Sequence, residues 1–277
     1  MSLPLPSGLS PSKVACFKEC ALAFRFSAID KLPEPPTPWT LKGTLVHRAL
    51  ERLFWHHRAG ERTLEAALAE LEASWGELGG QPELAGMGLE DAQAAELVAD
   101  AGTLLERYFE LEDPNAVEAV GVELMLSARL DGLGLRGIID RLDRDREGNL
   151  VVTDYKTGRV PGQASEQSQL AGVQFYAFLC QEVLGTRPVK VQLLYLRQPI
   201  SIVAWPTDQS MNGLYKRARA MWAAIKRACE QEDFRPRPSA LCDWCAYKEY
   251  CPAWGGDPAL APRAGQASAQ ARLALAN

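Results

Sequence analysis

The chain has 277 residues, 47% of them apolar, with 35 acidic and 30 basic side chains and a formal net charge of −5. That length and apolar fraction support one large or two small domains with a buried core, and they exclude a collagen-like fibre, a disordered tail and a small disulfide-stapled module. No apolar run reaches the roughly 18 residues needed to cross a bilayer. The start, Met1 to Gly8, lacks the basic and apolar regions of a secretory signal. A cytoplasmic protein with no membrane partner is expected.

The charge is unevenly spread. Between Glu61 and Asp113 fourteen acids face two bases, Arg62 and Arg107, a local net of −12 that leaves +7 on the rest.

In chain order, Ser10 and Pro11 offer an N-cap and a first-turn proline and predict a helix over 10–29. A proline-rich breaker follows from Leu32 to Pro38. A second helix is expected over 40–58, with Leu45, Val46, Ala49, Leu50 and Leu53 at helical spacing. The acidic stretch 61–112 reads as two helices, parted by glycines and Pro82. After Pro114 the texture becomes β-prone, with runs at 117–125, 127–130, 135–143 and 150–156, the last two joined by a turn at 146–149. A helix at 165–184, strands at 189–196 and 200–205, and a helix at 208–231 complete the pattern. A cysteine-rich segment (240–252) and a loosely ordered tail (253–277) follow.

This order implies an α/β or α+β fold, a central mixed sheet flanked by helices, with an all-helical insertion. Its parts are N-terminal core helices (1–60), the acidic insertion (61–113), the main core (114–239), the cysteine segment and the tail.

The most informative spacing is Asp140-x13-Asp154-x-Lys156. If the intervening turn centres on Glu147, paired residues sum to 294 and Asp140 lies opposite Asp154, with a one-residue shift left open. Directly opposed carboxylates repel, and a fold keeps such a pair when a cation lies between them. Lys156 shares a strand face with Asp154. Two hard oxygen ligands beside an ammonium suit a Mg²⁺-type site that orients water at a phosphodiester. The runs Ile138–Ile139 and Val151–Val152 make these strands apolar enough to be central rather than edge.

Asp140 and Asp154-Tyr155-Lys156 resemble the signature of the PD-(D/E)XK nucleases in its RecB-type form, with Ile139 where the name-giving proline would stand. The resemblance runs from about residue 10 to 252 and implies a restriction-endonuclease-like core. Gly43 to Leu50 matches the family's histidine motif, which implies His47 as a metal ligand. Val120 to Glu123 offers a further acid, Glu123. A later glutamine–tyrosine motif is approximated by Tyr176 with Gln174 or Gln169, neither at the usual spacing. Mg²⁺ or Mn²⁺ is the implied metal.

Seven cysteines in a cytoplasmic chain are not expected to form a disulfide framework. Cys242-x2-Cys245-x5-Cys251 brings three thiols together, and a tetrahedral Zn²⁺ or an iron–sulfur cluster takes four. Cys16, Cys20, Cys180 and Cys229 are the candidates for the fourth. Cys180 reads as a core residue and Cys229 lies inside a long helical pattern. RecB-type nucleases with an iron–sulfur clasp have one distant N-terminal cysteine and a C-terminal triplet with this spacing. The resemblance therefore implies a 4Fe–4S cluster on Cys20, Cys242, Cys245 and Cys251, with Cys16 the alternative ligand and zinc the alternative metal. Ala21 departs from the proline usual after the first cysteine.

The long helix carries Lys216, Arg217, Arg219, Lys226 and Arg227, followed by Arg235 and Arg237. These residues could bind phosphates, with Trp222, Phe234 and Trp244 placed to stack on bases. The acidic insertion is expected to lie away from DNA. The chain has no G-x4-G-K-S/T loop for its own helicase activity and no serine-nucleophile motif. The resemblance implies a single-strand exonuclease of DNA repair or recombination, acting on single-stranded ends, with a helicase or repair protein as partner. The rivals are a CRISPR-associated nuclease, a non-cutting DNA-end-binding subunit and a zinc-stabilised regulatory protein.

Overall fold

Pro38 at the first turn and a reciprocal capping box between Thr37 and Thr40 start the helix that supports the site, α3 (Pro38–His56). Its apolar stripe, including Leu45, Leu50 and Leu53 at 0% exposure, packs on α4 (Leu64–Gly79) and α5 (Asp91–Leu111). Burying each such leucine contributes about 1.5–3 kcal/mol. The same core takes in Tyr155, Leu194 and Leu196 from the sheet. The acidic segment thus shares one core with the helix before it and the strands after it.

The computed structural model describes residues 2–79, 84, 86–263 and 265–266, and their side chains except at 163–169 and 171. Two compact units are present: Met1–Pro35 with Arg129–Leu135 and Tyr215–Asn277, and Pro36–Ala128 with Arg136–Leu214.

The five-stranded sheet runs in the order β1 (Glu118–Leu130), β2 (Leu133–Arg144), β3 (Leu150–Lys156), β4 (Lys190–Tyr195), β5 (Ile200–Ala204). Asp131 and Gly132, both at positive φ, turn β1 into β2, a two-residue hairpin that suits Asp-Gly. The pairs β2–β3 and β4–β5 are antiparallel and β3–β4 is parallel. A parallel pair needs a crossover, here containing α6 (Gln163–Leu184). Val151 to Tyr155 and Val191 to Tyr195 are buried throughout, as central strands should be. The expected mixed sheet flanked by helices is present.

In the other unit, the helix expected over 10–29 is broken. α1 (Pro11–Glu19) ends at Cys20, which is extended at φ −156° and ψ 110°; α2 (Ala21–Phe24) and a π-helical turn (Arg25–Ile29) follow. Phe17 and Phe24 pack edge to face at 5.2 Å across the break. The long helix α7 (Asp208–Gln231) lies in this unit from Tyr215 onward. The tail begins with 3₁₀ turns at Pro252–Trp254 and Pro258–Leu260, and its residues 264 and 267–277 lie outside the described residues. Among the described residues no helix is long and apolar enough to cross a membrane.

Candidate metal and catalytic centre

The β2–β3 ladder has the expected register: Arg141 pairs with Thr153, Leu142 with Val152, Asp143 with Val151 and Arg144 with Leu150. Ladder pairing stops one step short of Asp140 and Asp154. There the Asp140 carboxylate takes over, its Oδ2 accepting the Tyr155 backbone N–H at 2.7 Å. The ladder gives way where two carboxylates would otherwise stand directly opposed, which relieves their repulsion.

Three donors converge at this opening. Ligand atoms of His47, Glu123 and Asp140 lie within 4.8 Å of one another, with His47 Nδ1 3.4 Å from Asp140 Oδ2. α3 supplies His47, whose ring stands edge-on to Tyr155 at 6.0 Å. β1 supplies Glu123 through a local backbone anomaly at φ 44°. The less exposed positions shift from Ala119 and Gly121 to Leu124, Leu126 and Ala128 across that residue, as expected of a bulge that re-aims a side chain. A non-glycine residue at such φ costs on the order of 1–3 kcal/mol and is typical of functional sites.

Asp154 and Lys156 complete the cluster. Lys156 Nζ is 2.5 Å from Asp154 Oδ2, an ion pair by distance, although that buried oxygen has no partner at hydrogen-bonding angles. The electrostatics are those of crowded acids. Burial, then the charge of Asp140, pushes Glu123 up to about 7 and Asp154 up to about 6. Burial alone would lower Lys156, but the Asp154 charge outweighs it and holds its ammonium above the usual range. His47 is likewise raised, its desolvation outweighed by Asp140. Two carboxylates and an imidazole converging beside a buried carboxylate oxygen form a donor set that fits a hard divalent cation.

Tyr176 on α6 approaches the acids: burial, then the charges of Asp154, Asp140 and Glu123, raise its hydroxyl. Gly137 on β2 permits this, since a Cβ there would lie 2.8 Å from Tyr176 Cε1. Gln174 is half-buried and sits two residues from Tyr176, about 160° away around the helix. The side chain of Gln169 lies outside the described residues.

Beneath the site is a group that the sequence reading did not single out. Arg141, fully buried, donates to Asp143 at 2.7 and 3.0 Å, to Glu112 at 2.5 and 3.1 Å, to the Tyr108 hydroxyl at 3.1 Å and to the Tyr155 hydroxyl at 2.7 Å. Its guanidinium stacks over Phe54 at 4.5 Å. The hint in sequence is an Arg–Asp pair two residues apart, Arg141 and Asp143, so that both fall on one face of β2.

Cys16, Cys20, Cys242, Cys245 and Cys251 all line one cavity of about 210 Å³, while Cys180 and Cys229 are buried elsewhere. Burial raises the Cys245 thiol, as do the charges of Cys20, Cys242 and Cys251. Cys242 Sγ accepts the Ser239 N–H at 3.4 Å, and the Cys16 thiol faces the Ser27 hydroxyl at 4.0 Å. Of the aromatic residues expected to stack, Phe234 is buried in the core and Trp222 is half-buried, whereas Trp244 is 81% exposed. On and after α7, Arg219 pairs with Asp131, Arg235 with Asp233, and Arg237 donates to the Lys18 carbonyl. Lys216, Arg217 and Arg227 are exposed.

Residues 8–252 match the PD-(D/E)XK nuclease superfamily. The Gene 69 protein of Mycobacterium phage D29 is 28% identical over 186 residues, 58% of this chain and 65% of the phage protein, so the match spans less than two thirds of that relative. A crystal structure of a candidate exonuclease from Eubacterium rectale superposes with a TM-score of 0.50 at 10% identity, over 86% of this chain and 93% of that one. The likeness to that structure is one of fold.

Proposed function

This chain belongs to the PD-(D/E)XK nuclease superfamily, and on that premise we propose that it is a RecB-type, Mg²⁺- or Mn²⁺-dependent DNA exonuclease acting on single-stranded ends in repair or recombination. The observation that carries this reading is the convergence of His47, Glu123 and Asp140 within 4.8 Å beside the Asp154–Lys156 pair.

In this reading His47, Glu123, Asp140 and Asp154 hold the cation. When bound there, such a cation would supply Lewis acidity at the phosphoryl group and a lower pKa for the attacking water. Tyr155 orients Asp140 through its backbone N–H. Lys156, whose ammonium form the Asp154 charge favours, would orient the water and offset the charge that builds up on the phosphate oxygens. Tyr176, with its hydroxyl protonated, supports the site or the DNA backbone, and Gln174 or Gln169 assists.

The cysteine cavity has donors enough for a 4Fe–4S cluster on Cys20, Cys242, Cys245 and Cys251, and the Ser239 N–H bonded to the Cys242 sulfur suits such a group. Cys16 is the alternative ligand and zinc the alternative metal. The cluster would be structural, closing a chain segment of more than 200 residues. A helicase or repair protein is the proposed partner.

The test is cleavage of single-stranded DNA labelled at either end, with Mg²⁺ or Mn²⁺. Wild-type protein should shorten the strand, and Asp154→Asn should not. A wild type that binds ends but never cuts across both metal titrations would replace this reading with a DNA-end-binding role.

A further inference from the structure

The donor triad lies within a larger feature. A groove of about 1210 Å³ follows α3 from Thr40 past His47, where Glu123 and Asp140 line it, and on to Arg48, Arg52 and Trp55. Its volume exceeds the roughly 300–1,000 Å³ of a small-molecule pocket, so it suits a polymer. Helical spacing sets its layout: His47, Glu51 and Trp55 follow one another at four-residue steps, which puts Trp55 about 12 Å along the axis from His47. Trp55 is 73% exposed, an unusual position for so large an apolar ring. Arg48 and Arg52 form the adjoining row.

Both guanidiniums are held by an acid from α4. Arg48 Nη2 lies 2.5 Å from Glu77 Oε2 and Arg52 Nη1 lies 2.7 Å from Glu77 Oε1, while Arg52 Nε bonds Glu70 at 2.7 Å. Glu77 is about half exposed and lines the groove itself. An exposed ion pair of this kind is cheap to break, and a phosphate presents the same fork-compatible oxygens as a carboxylate. Glu70 is different: it is buried to 12% exposure and also bonded by His56 and His57, so it anchors the arginine row.

We propose that this α3 groove is the subsite for the single-stranded DNA flanking the scissile phosphate: Trp55 stacks on a base, Arg48 and Arg52 take successive phosphates, and Glu77 is the carboxylate that those phosphates displace. The inference rests on the nuclease reading for the identity of the strand. Its geometry uses residues outside the metal cluster. It also gives the acidic segment a role beside the strand, as the source of the competing anion. Glu51, between His47 and Trp55, adds to the field at Glu123, where a bound cation would offset it.

The test compares wild type with Trp55→Ala, Trp55→Phe, Glu77→Gln and Arg48→Ala, by KM and kcat for a labelled single strand in Mg²⁺ and by fluorescence anisotropy of the same strand. Trp55→Ala should raise KM about tenfold, the weight of one stacked base, with kcat little changed, and Trp55→Phe should restore most of the loss. Abasic substitutions scanned along the strand should find one position that weakens binding to wild type and not to Trp55→Ala. Glu77→Gln should tighten binding, because it frees both guanidiniums, and Arg48→Ala should weaken it and flatten its salt dependence.

If wild type cleaves but Trp55→Ala and Glu77→Gln leave both KM and anisotropy unchanged, the subsite is overturned and the nuclease reading stands. Weaker binding by Glu77→Gln would also overturn it, since Glu77 would then only brace the arginines. If wild type does not cleave, the nuclease reading falls, and the anisotropy series still decides the groove.

Discussion

The backbone N–H of Tyr155 donates to Asp140 Oδ2 at 2.7 Å, at the step where ladder pairing between β2 and β3 ends. The same tyrosine accepts a 2.7 Å bond from Arg141 at its hydroxyl. One residue therefore joins the carboxylate at the open end of the hairpin to the buried guanidinium beneath it.

Removing Arg141 should be costly. Arg141→Ala leaves Asp143 and Glu112 without their cation, and breaking a buried ion pair this way costs about 3–5 kcal/mol. Urea unfolding followed by circular dichroism measures the loss. Arg141→Lys keeps the charge but not the planar fork. If it stays folded, it should weaken Mn²⁺ binding about tenfold, the usual range for outer-shell support. Unchanged Mn²⁺ affinity in a folded Arg141→Lys would show that the network does not position Asp140.

The crowded acids set a pH dependence. Glu123 titrates near 7 in the folded, cation-free protein against an ordinary value of 4.5, and Asp154 near 6 against 3.8. Between about pH 4 and 7 the folded state therefore holds more protons at these groups than the unfolded state, and their contribution to stability declines as pH rises through that window. With EDTA, the Tm of wild type relative to Glu123→Gln should fall from pH 5 to pH 7.5. Saturating Mg²⁺ should abolish that relative fall. A difference that grows with pH in EDTA would reverse the assignment.

Lys156 is expected to act through its charge. Lys156→Ala should lower kcat by about 10²–10³-fold, the scale of losing one preorganised donor at a developing anion, while Mn²⁺ affinity changes little. Lys156→Arg should recover part of the activity. A Lys156→Ala protein whose loss is rescued simply by raising pH would point to a base role for the lysine.

At the cysteine cavity the thiols separate in their surroundings. Cys245 feels Cys20, Cys242 and Cys251, whereas Cys16 feels Cys20 and faces Ser27. Protein purified without oxygen should be brown, with about four irons per chain and broad absorbance near 400 nm. Cys20→Ser should be colourless and Cys16→Ser brown. A colourless wild type carrying one zinc would replace the cluster with the zinc alternative.

Much of the site was legible because it follows short-range rules. The strand period and the turn centred on Glu147 set the β2–β3 register to within one residue, and the spacing put Lys156 on the face of Asp154. The apolar stripe of α3 determined that this helix packs inward, with His47 at the stripe's margin. The break at Cys20 was not legible, since nothing at Cys20 or Ala21 forbids a helix. Nor was the φ of Glu123, which is strained and held by surroundings distant in sequence.

The acidic segment shows the division most clearly. Its charge of −12 could be counted from the sequence, and by average repulsion it was expected to keep away from the strand. The fold packs α4 and α5 into one core with α3 and sets Glu70 and Glu77 against Arg52 and Arg48 at the rim of the site. Composition and periodicity determine which residues a segment has and which face it buries. Which charges then meet depends on packing between elements far apart in sequence, and only the tertiary structure decides that.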